Sequence, residues 1–444
     1  MKIVIIGAEA AGASAAAKLK RVAPKADVVV YEKTDTITFG ACGLPYFVGD
    51  FFSDPNFMVS RTVEQFANND IAIKTNHEVI AVNSAAKRVT VKNLATGEIG
   101  EDRYDYLLIA TGASPIIPPI DNADLTHVFT LKTMADGLAL KPVAHMSEIQ
   151  EVTVIGGGYI GLEVADVMLR LGKNVRIIQL DQRVLAESFD QDIAHILEKE
   201  LTEAGVQIHL AETLKALRGD TRVTGVVTDK SEYSSDLVVI CTGVRPNTQF
   251  LQDTDIAMLP NGAIIIDAHG RTNVDGIFAA GDCATVSHLL KKAPAYIPLA
   301  TTANKIGRIA GENMAGQARV FPGTLGTAAI KVNSLEAGRT GITEAEAAKS
   351  NIPYKTVLVK DKNHSNFLPE QADIWVKLIY HSQTKKLLGG QVVGGNGAAL
   401  RANILATAIW NGMTVEQLGL MDLLYAPPFS RPWDVLNIAA NAAR

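Results

Sequence analysis

The stretch that most restricts how this chain can fold is Val152-Thr153-Val154-Ile155 followed by Gly156-Gly157-Gly158-Tyr159-Ile160-Gly161. A short β-branched run that ends in G-x-G-x-x-G, passes into a helical segment at Leu162–Leu171 and then into a second apolar run at Val175–Ile178 is the pattern of a parallel β-α-β unit. Gly156 makes the tight turn out of the strand. Gly158 allows a diphosphate to approach the backbone, and Gly161 allows the helix to pack on the strand. The N–H groups at the helix start then face the anion. Gln179 ends the second strand, where an acid would bind a ribose 2′-hydroxyl and favour NADH. A neutral glutamine removes that preference. Arg183, nearby, can meet a 2′-phosphate or simply be solvated, so the cofactor reads as NADPH or NADH, leaning towards NADPH or dual use.

A second unit of the same kind opens the chain. Strand Lys2–Ile6 leads into Gly7-Ala8-Glu9-Ala10-Ala11-Gly12, an Ala-rich helix runs to about Val22, and a strand follows at Asp27–Tyr31. Glu32 then falls about 20 residues after Gly12, the spacing of an acid that binds a ribose hydroxyl. The middle glycine is absent here. Glu9 stands in its place, and a carboxylate near a diphosphate is unwelcome. Two such units imply two dinucleotides. A third signal is Thr272–Ala284, expected to be a strand ending in Gly281-Asp282, whose carboxylate can accept from a ribityl hydroxyl of FAD. The strand-ended turns Leu107–Gly112, with Ala110-Thr111-Gly112, and Val238–Gly243, ending in Thr242-Gly243, mark crossings between domains. The helix that opens near Ala300 is expected to aim its N-terminus at the flavin, where a positive helix end stabilises an anionic reduced ring.

The cysteines come next. Cys42, Cys241 and Cys283 are far apart in sequence, which is neither a disulfide framework nor a zinc pattern and suits a reducing cytoplasm. Cys42 lies between glycines in Thr38-Phe39-Gly40-Ala41-Cys42-Gly43, just past the first nucleotide unit. It reads as a redox thiol against the flavin. Cys241 and Cys283 sit in apolar strand ends and read as packing residues. Ser14, Lys18 and Arg21 share one face of the first helix and offer a basic lining for a phosphate-bearing substrate. Thr38 is a further substrate-side candidate, and Arg61 a weaker one. The formal net charge of -5 gives no case for nucleic-acid binding. No uninterrupted apolar window of ~18 residues suggests a membrane span, and the N-terminus reads as a strand and helix rather than an export signal. A cytoplasmic location is the expectation.

Taken together with the tail Tyr425-Ala426-Pro427-Pro428-Phe429-Ser430, these motifs resemble the pyridine nucleotide-disulfide oxidoreductases that use a single active-site cysteine, most of all the coenzyme A-disulfide reductases. The resemblance implies an α/β fold with two Rossmann-like, glutathione-reductase-like domains and a C-terminal α+β dimerisation domain. It implies a discontinuous FAD domain at 1–112 and 246–322, an NAD(P) domain at 113–245 and an interface domain at 323–444 that completes the active site of a homodimer partner. It makes Cys42 the redox residue and Tyr425 a proton donor from the other subunit. It assigns Gly7, Gly12, Glu32, Lys33, Ala110, Thr111, Gly112, Gly281, Asp282 and Ala300 to FAD. Gly156, Gly158, Tyr159, Gly161, Glu163, Gln179 and Gly243 go to NAD(P)H, with Tyr159 as a gate over the flavin. No second thiol lies near Cys42, so its oxidised form is a mixed disulfide or a sulfenic acid. Peroxidase and oxidase relatives look for a histidine at Ala10 to hold a sulfenic acid; an alanine there favours disulfide exchange. The implied acceptor is coenzyme A disulfide or a related persulfide, although Phe367 and Leu368 stand where the reductases carry tyrosine. The alternative is an NADH oxidase or NADH peroxidase.

Overall fold

The structure is a computed structural model and describes residues 1–443. By its contacts the chain divides into two compact units. The first comprises Met1–Ile116, Lys132–Ala135 and Val244–Thr324; the second comprises Ile117–Leu131, Asp136–Gly243 and the chain from Leu325 on.

The first unit is built on five parallel strands in the order Ile277–Ala279, Tyr106–Ile109, Lys2–Ile6, Asp27–Tyr31, Ile71–Lys74. Covered on both faces, the inner strands read as continuous apolar runs, whereas the edge strand Ile71–Lys74 alternates, with Ala72 and Lys74 exposed. On one face pack the helices Ala10–Val22 and Ala300–Met314, with Ile3, Ile5, Leu19, Ile306 and Ala310 in the shared core. On the other lies an antiparallel sheet of His77–Asn83, Arg88–Asn93 and Ile99–Arg103, which contributes Val79, Val82, Val89 and Val91 to the core around Val4, Ile6 and Ile109. The expected strand over Thr272–Ala284 is confined to Ile277–Ala279. Asp275-Gly276 turns the chain just before it, with Gly276 at φ +76°.

The two helices cross through small residues. A Cβ on Gly307 would stand 2.3 Å from the Ala11 carbonyl oxygen, and one on Gly311 2.5 Å from that of Ala15. Only hydrogen fits in either place.

The second unit repeats the parallel sheet, in the order Gln207–His209, Asn174–Ile178, Glu151–Ile155, Leu237–Ile240, Val128–Phe129. The third, second and first strands are thus followed by a crossover strand and a last one, as in the first unit. Its helix runs Tyr159–Arg170, starting three residues earlier than the apolar pattern suggests. This unit also holds an antiparallel sheet in the order Ala328–Val332, Leu335–Gly341, Leu387–Gly394, Asp373–His381, Tyr354–Lys362, with helix Ala398–Trp410 packed against it through Ala402 and Leu405. The architecture is therefore mixed α/β, two Rossmann-type sheets and a C-terminal α+β portion. No helix among the described residues is long and apolar enough to cross a membrane.

The crossing at Gly307 makes a clear prediction. Gly307→Ala should cost about 1–3 kcal/mol, because a methyl group meets backbone rather than a movable side chain. Gly100→Ala, where an added Cβ meets nothing within 4 Å, should stay within about 0.5 kcal/mol. Denaturant unfolding of the two variants measures both.

Candidate active site

Each nucleotide turn is set by backbone touching backbone. In the first, Gly7 has φ +99°, and a Cβ on Gly12 would lie 1.9 Å from the Gly7 carbonyl oxygen. In the second, Gly156 has φ +105°, and a Cβ on Gly161 would lie 1.9 Å from the Gly156 oxygen. Such contacts draw each helix start up to the end of its strand, where N–H groups without upstream helical acceptors point outward. Ahead of the second helix, a Cβ on Gly158 meets nothing within 4 Å, and the same holds at Gly112, which has φ +66°. These are open cradles of the kind a dinucleotide backbone fills.

The strand-end residues have matching roles. Glu32, buried, accepts from the Ala8 N–H at 2.9 Å and from the Thr34 N–H and hydroxyl at 2.9 and 2.8 Å. Gln179, buried at the corresponding place, accepts from the Gly157 N–H at 2.6 Å and donates to Asp181 at 2.7 Å. Arg183 gives its guanidinium to the carbonyls of Ala186 and Phe189 within its own loop. Tyr159 lies against Phe189 with ring centroids 6.5 Å apart, and its buried phenol has no hydrogen-bond partner of good geometry. Burial raises that phenol's pKa, against smaller lowering by Ser188 and Arg339. Glu163 sits half-buried one turn along the same helix, and Gly243, at φ +107°, turns the chain out of the crossover strand.

The first unit's crossing is locked by Asn247. Thr111 donates to its carbonyl at 2.7 Å, its amide donates to the Thr111 carbonyl at 2.9 Å, and Ser114 donates to its side chain at 2.6 Å. Ala110 is buried behind this turn. Asp282, after Gly281 at φ +84°, is held by Lys132 at 3.0 Å. Burial pulls the Lys132 ammonium down, but Asp282, Glu9 and Cys42 together raise its pKa above the ordinary lysine value. Lys132 thus links the Gly-Asp motif electrostatically to the thiol. Nothing in Leu131-Lys132-Thr133 announces this in sequence. Asn247, after Pro246, was equally silent. Lys33 is exposed beside Glu32, and Ala300 is the exposed first residue of its helix.

Cys42 is exposed, in the single turn Ala41–Gly43 that leads into helix Leu44–Val48. Its segment is pinned from both sides. The Gly40 N–H donates to Met58 at 2.8 Å, and Thr38, at φ +50°, donates its hydroxyl to the Arg61 carbonyl at 2.7 Å and accepts from the Arg61 N–H at 3.0 Å. A β-branched residue at positive φ is strained, and these paired bonds hold it there. The Thr38 hydroxyl therefore fastens the thiol loop to the Ser60-Arg61 strip. Arg61 and Arg21 line one cavity of about 650 Å³ together with Lys20, Ser60 and Gln65. Lys18 is paired with Glu312 at 2.8 Å, and Ser14 donates to Asn304 at 2.6 Å. Of the three residues expected on one helix face, Arg21 alone lines this cavity. In the other unit, Tyr425 is 47% exposed, near the exposed Leu424 and Phe429 in sequence. His364 is buried, bonded through Nδ1 to the Ser365 carbonyl, while Phe367 is exposed.

Residues 1–307 match the model of the pyridine nucleotide-disulphide oxidoreductases, and residues 327–435 match the dimerisation domain of that family. The chain belongs to this family. It is therefore a flavoprotein oxidoreductase whose cofactors are FAD and a nicotinamide nucleotide, and the open glycine cradles and the placed acid Glu32 fit those groups. A coenzyme A polysulfide/persulfide reductase that uses NAD(P)H, from Pyrococcus horikoshii, is 37% identical across all of this chain and 98% of its own length. An NADH oxidase from Enterococcus faecalis is 34% identical across all of this chain and 99% of its own. Among solved structures, a water-forming NADH oxidase from Lactobacillus brevis bound to NADH superposes with a TM-score of 0.95 at 34% identity, covering all of this chain and 98% of that one.

The cysteines of this oxidoreductase should react very differently. Burial pushes the Cys241 thiol up to about 12 and raises Cys283 as well, and Cys283 has no exposed surface. Iodoacetamide on the native protein at pH 7.5 should label Cys42 at least tenfold faster than either of the others, as read by peptide mass spectrometry.

Proposed function

We propose that this protein is an NAD(P)H:disulfide oxidoreductase that passes electrons through FAD to Cys42, which reduces coenzyme A disulfide or a related low-molecular-weight persulfide. The observation that carries this reading is the Thr38–Arg61 pin. It joins the segment bearing the exposed thiol to a cavity whose wall carries Lys20, Arg21 and Arg61. A substrate with a reactive sulfur at one end and phosphates at the other suits such a surface, since arginine and lysine bind phosphate through charge-assisted hydrogen bonds. The similarity to a coenzyme A persulfide reductase supports the same class.

FAD, when bound, supplies the two-electron relay between nicotinamide and sulfur. The chain's own part begins with the Cys42 thiolate, the nucleophilic form. It attacks one sulfur of the disulfide, forms a mixed disulfide, and expels the other half as a thiolate that takes up a proton. Two electrons then cleave the mixed disulfide, returning the Cys42 thiolate and releasing the second thiol with another proton. Lys132 supplies positive potential near Cys42 that favours its thiolate. Tyr425, contributed from the other subunit of a homodimer, is our proposed proton donor to the leaving thiolate. Phe367 and Leu368 stand at the other tyrosine positions, and His364 in the same segment is buried. The dimerisation-domain match and the exposed Leu420, Leu424, Phe429 and Trp433 support a homodimer.

The NADH oxidase relatives favour a second reading, reduction of oxygen. Ala10 opposes it, because a methyl group cannot hydrogen-bond a sulfenic acid. NAD(P)H oxidation, measured anaerobically with each disulfide or peroxide and then with oxygen admitted, decides between the two. Rapid turnover with coenzyme A disulfide or persulfide, lost by at least about 10³-fold in Cys42→Ser, supports the proposal. Turnover with oxygen or peroxide alone contradicts it.

Gln179 sets a further expectation. Gln179→Glu can keep the Gly157 bond while adding a negative charge where a 2′-phosphate would lie. The ratio of kcat/KM for NADPH over NADH should fall by about tenfold or more; an unchanged ratio would remove Gln179 from cofactor selection.

A further inference from the structure

We propose that Glu9 enters the FAD complex as the neutral acid, so that flavin binding takes up one proton and weakens as the pH rises. This rests on FAD occupying the first unit. Glu9 replaces the middle glycine of the fingerprint and is the residue before helix Ala10–Val22, with extended backbone at φ -90° and ψ -155°. Its carbonyl accepts the Ala13 N–H, while its side chain makes no capping bond to the helix. The N–H groups of the first turn are left for an outside acceptor. A diphosphate supplies that acceptor, and a carboxylate beside it is a second anion in the same place.

The surrounding charges do not neutralise Glu9. Lys132, Lys33, Glu32 and Asp282 all face it. Lys132 already holds Asp282 at 3.0 Å, and the Glu32 carboxylate is engaged by Ala8 and Thr34. Lys132 also faces Cys42. Before any ligand is considered, burial raises Glu9 to about 7, with Lys132 and Lys33 pulling down and Glu32 and Asp282 pushing up. A diphosphate brings further negative charge and moves the group higher still. The sign follows from linkage. Below pH 7 the carboxyl is protonated in both free and bound protein, and affinity does not depend on pH. Above about 7 the free protein must take up a proton to bind, and each pH unit costs about tenfold in affinity until the bound group itself ionises.

The test is FAD release from the holoenzyme on dilution, followed by flavin fluorescence from pH 6 to 9, for the wild type, Glu9→Gln and Glu9→Gly. The proposal expects the wild-type Kd to be flat up to about pH 7 and to rise towards tenfold per unit above it. Both variants should be flat throughout and match the wild type at pH 6 to within a few-fold. A tightly bound flavin with a flat wild-type profile overturns the proposal alone, as does a variant that keeps the wild-type slope. Protein that carries no flavin at any pH overturns the cofactor assignment together with it.

Discussion

Everything placed in this molecule depends on one kind of contact, a carbonyl oxygen touching the α-carbon of a glycine. Gly12 rests on the Gly7 oxygen and Gly161 on the Gly156 oxygen, each with room for hydrogen and for nothing larger. These contacts bring a helix start to the end of a central strand. There the first N–H groups of the helix, which lack upstream acceptors, face a point where a diphosphate can bind. The same economy recurs where Gly307 and Gly311 meet the backbone of the first helix. There, close approach fixes helix Ala300–Met314 and with it the helix start at Ala300.

On this frame, three residues of the first unit act as supports, two of them for the thiol segment. Lys132 joins the Gly-Asp motif to Cys42 through charge, Thr38 ties the thiol loop to Arg61, and Asn247 closes the crossing beside Thr111. None is a reacting group in the proposed chemistry. Each holds a neighbour in place, and the strain at Thr38 shows that its position has been imposed rather than chosen by local preference. Cys42 is exposed while Cys241 is half-buried and Cys283 buried, and in the proposed chemistry a small external thiol is the exchange partner of Cys42.

The frame was legible in the sequence because glycine spacing and β-branched runs are local signals with strict geometric causes. Both parallel sheets and the ends Glu32 and Gln179 follow from them. The site's supports were not legible. Lys132 and Asn247 reach their partners across 150 and 136 residues of chain, and no local pattern encodes such a meeting. The basic helix face is legible in part. Its periodicity is sound, but Glu312 lies across from Lys18 and takes its charge, which only the packing of two helices reveals. The strand expected over Thr272–Ala284 is shorter because the Asp275-Gly276 turn interrupts it. Of the C-terminal antiparallel sheet, Ile374–Tyr380 and Leu387–Val393 stand out in sequence, while the mixed composition of Leu335–Gly341 and Tyr354–Lys362 hides the rest.

The central claim is that one thiol, Cys42, carries the exchange with a small disulfide. Intact-mass measurement after anaerobic incubation with coenzyme A disulfide tests it most directly. The account predicts that a single coenzyme A is added per chain, mapped to Cys42 and discharged on addition of NADPH or NADH. No adduct, an adduct at Cys241 or Cys283, or one that persists in the presence of the reduced nucleotide would contradict it.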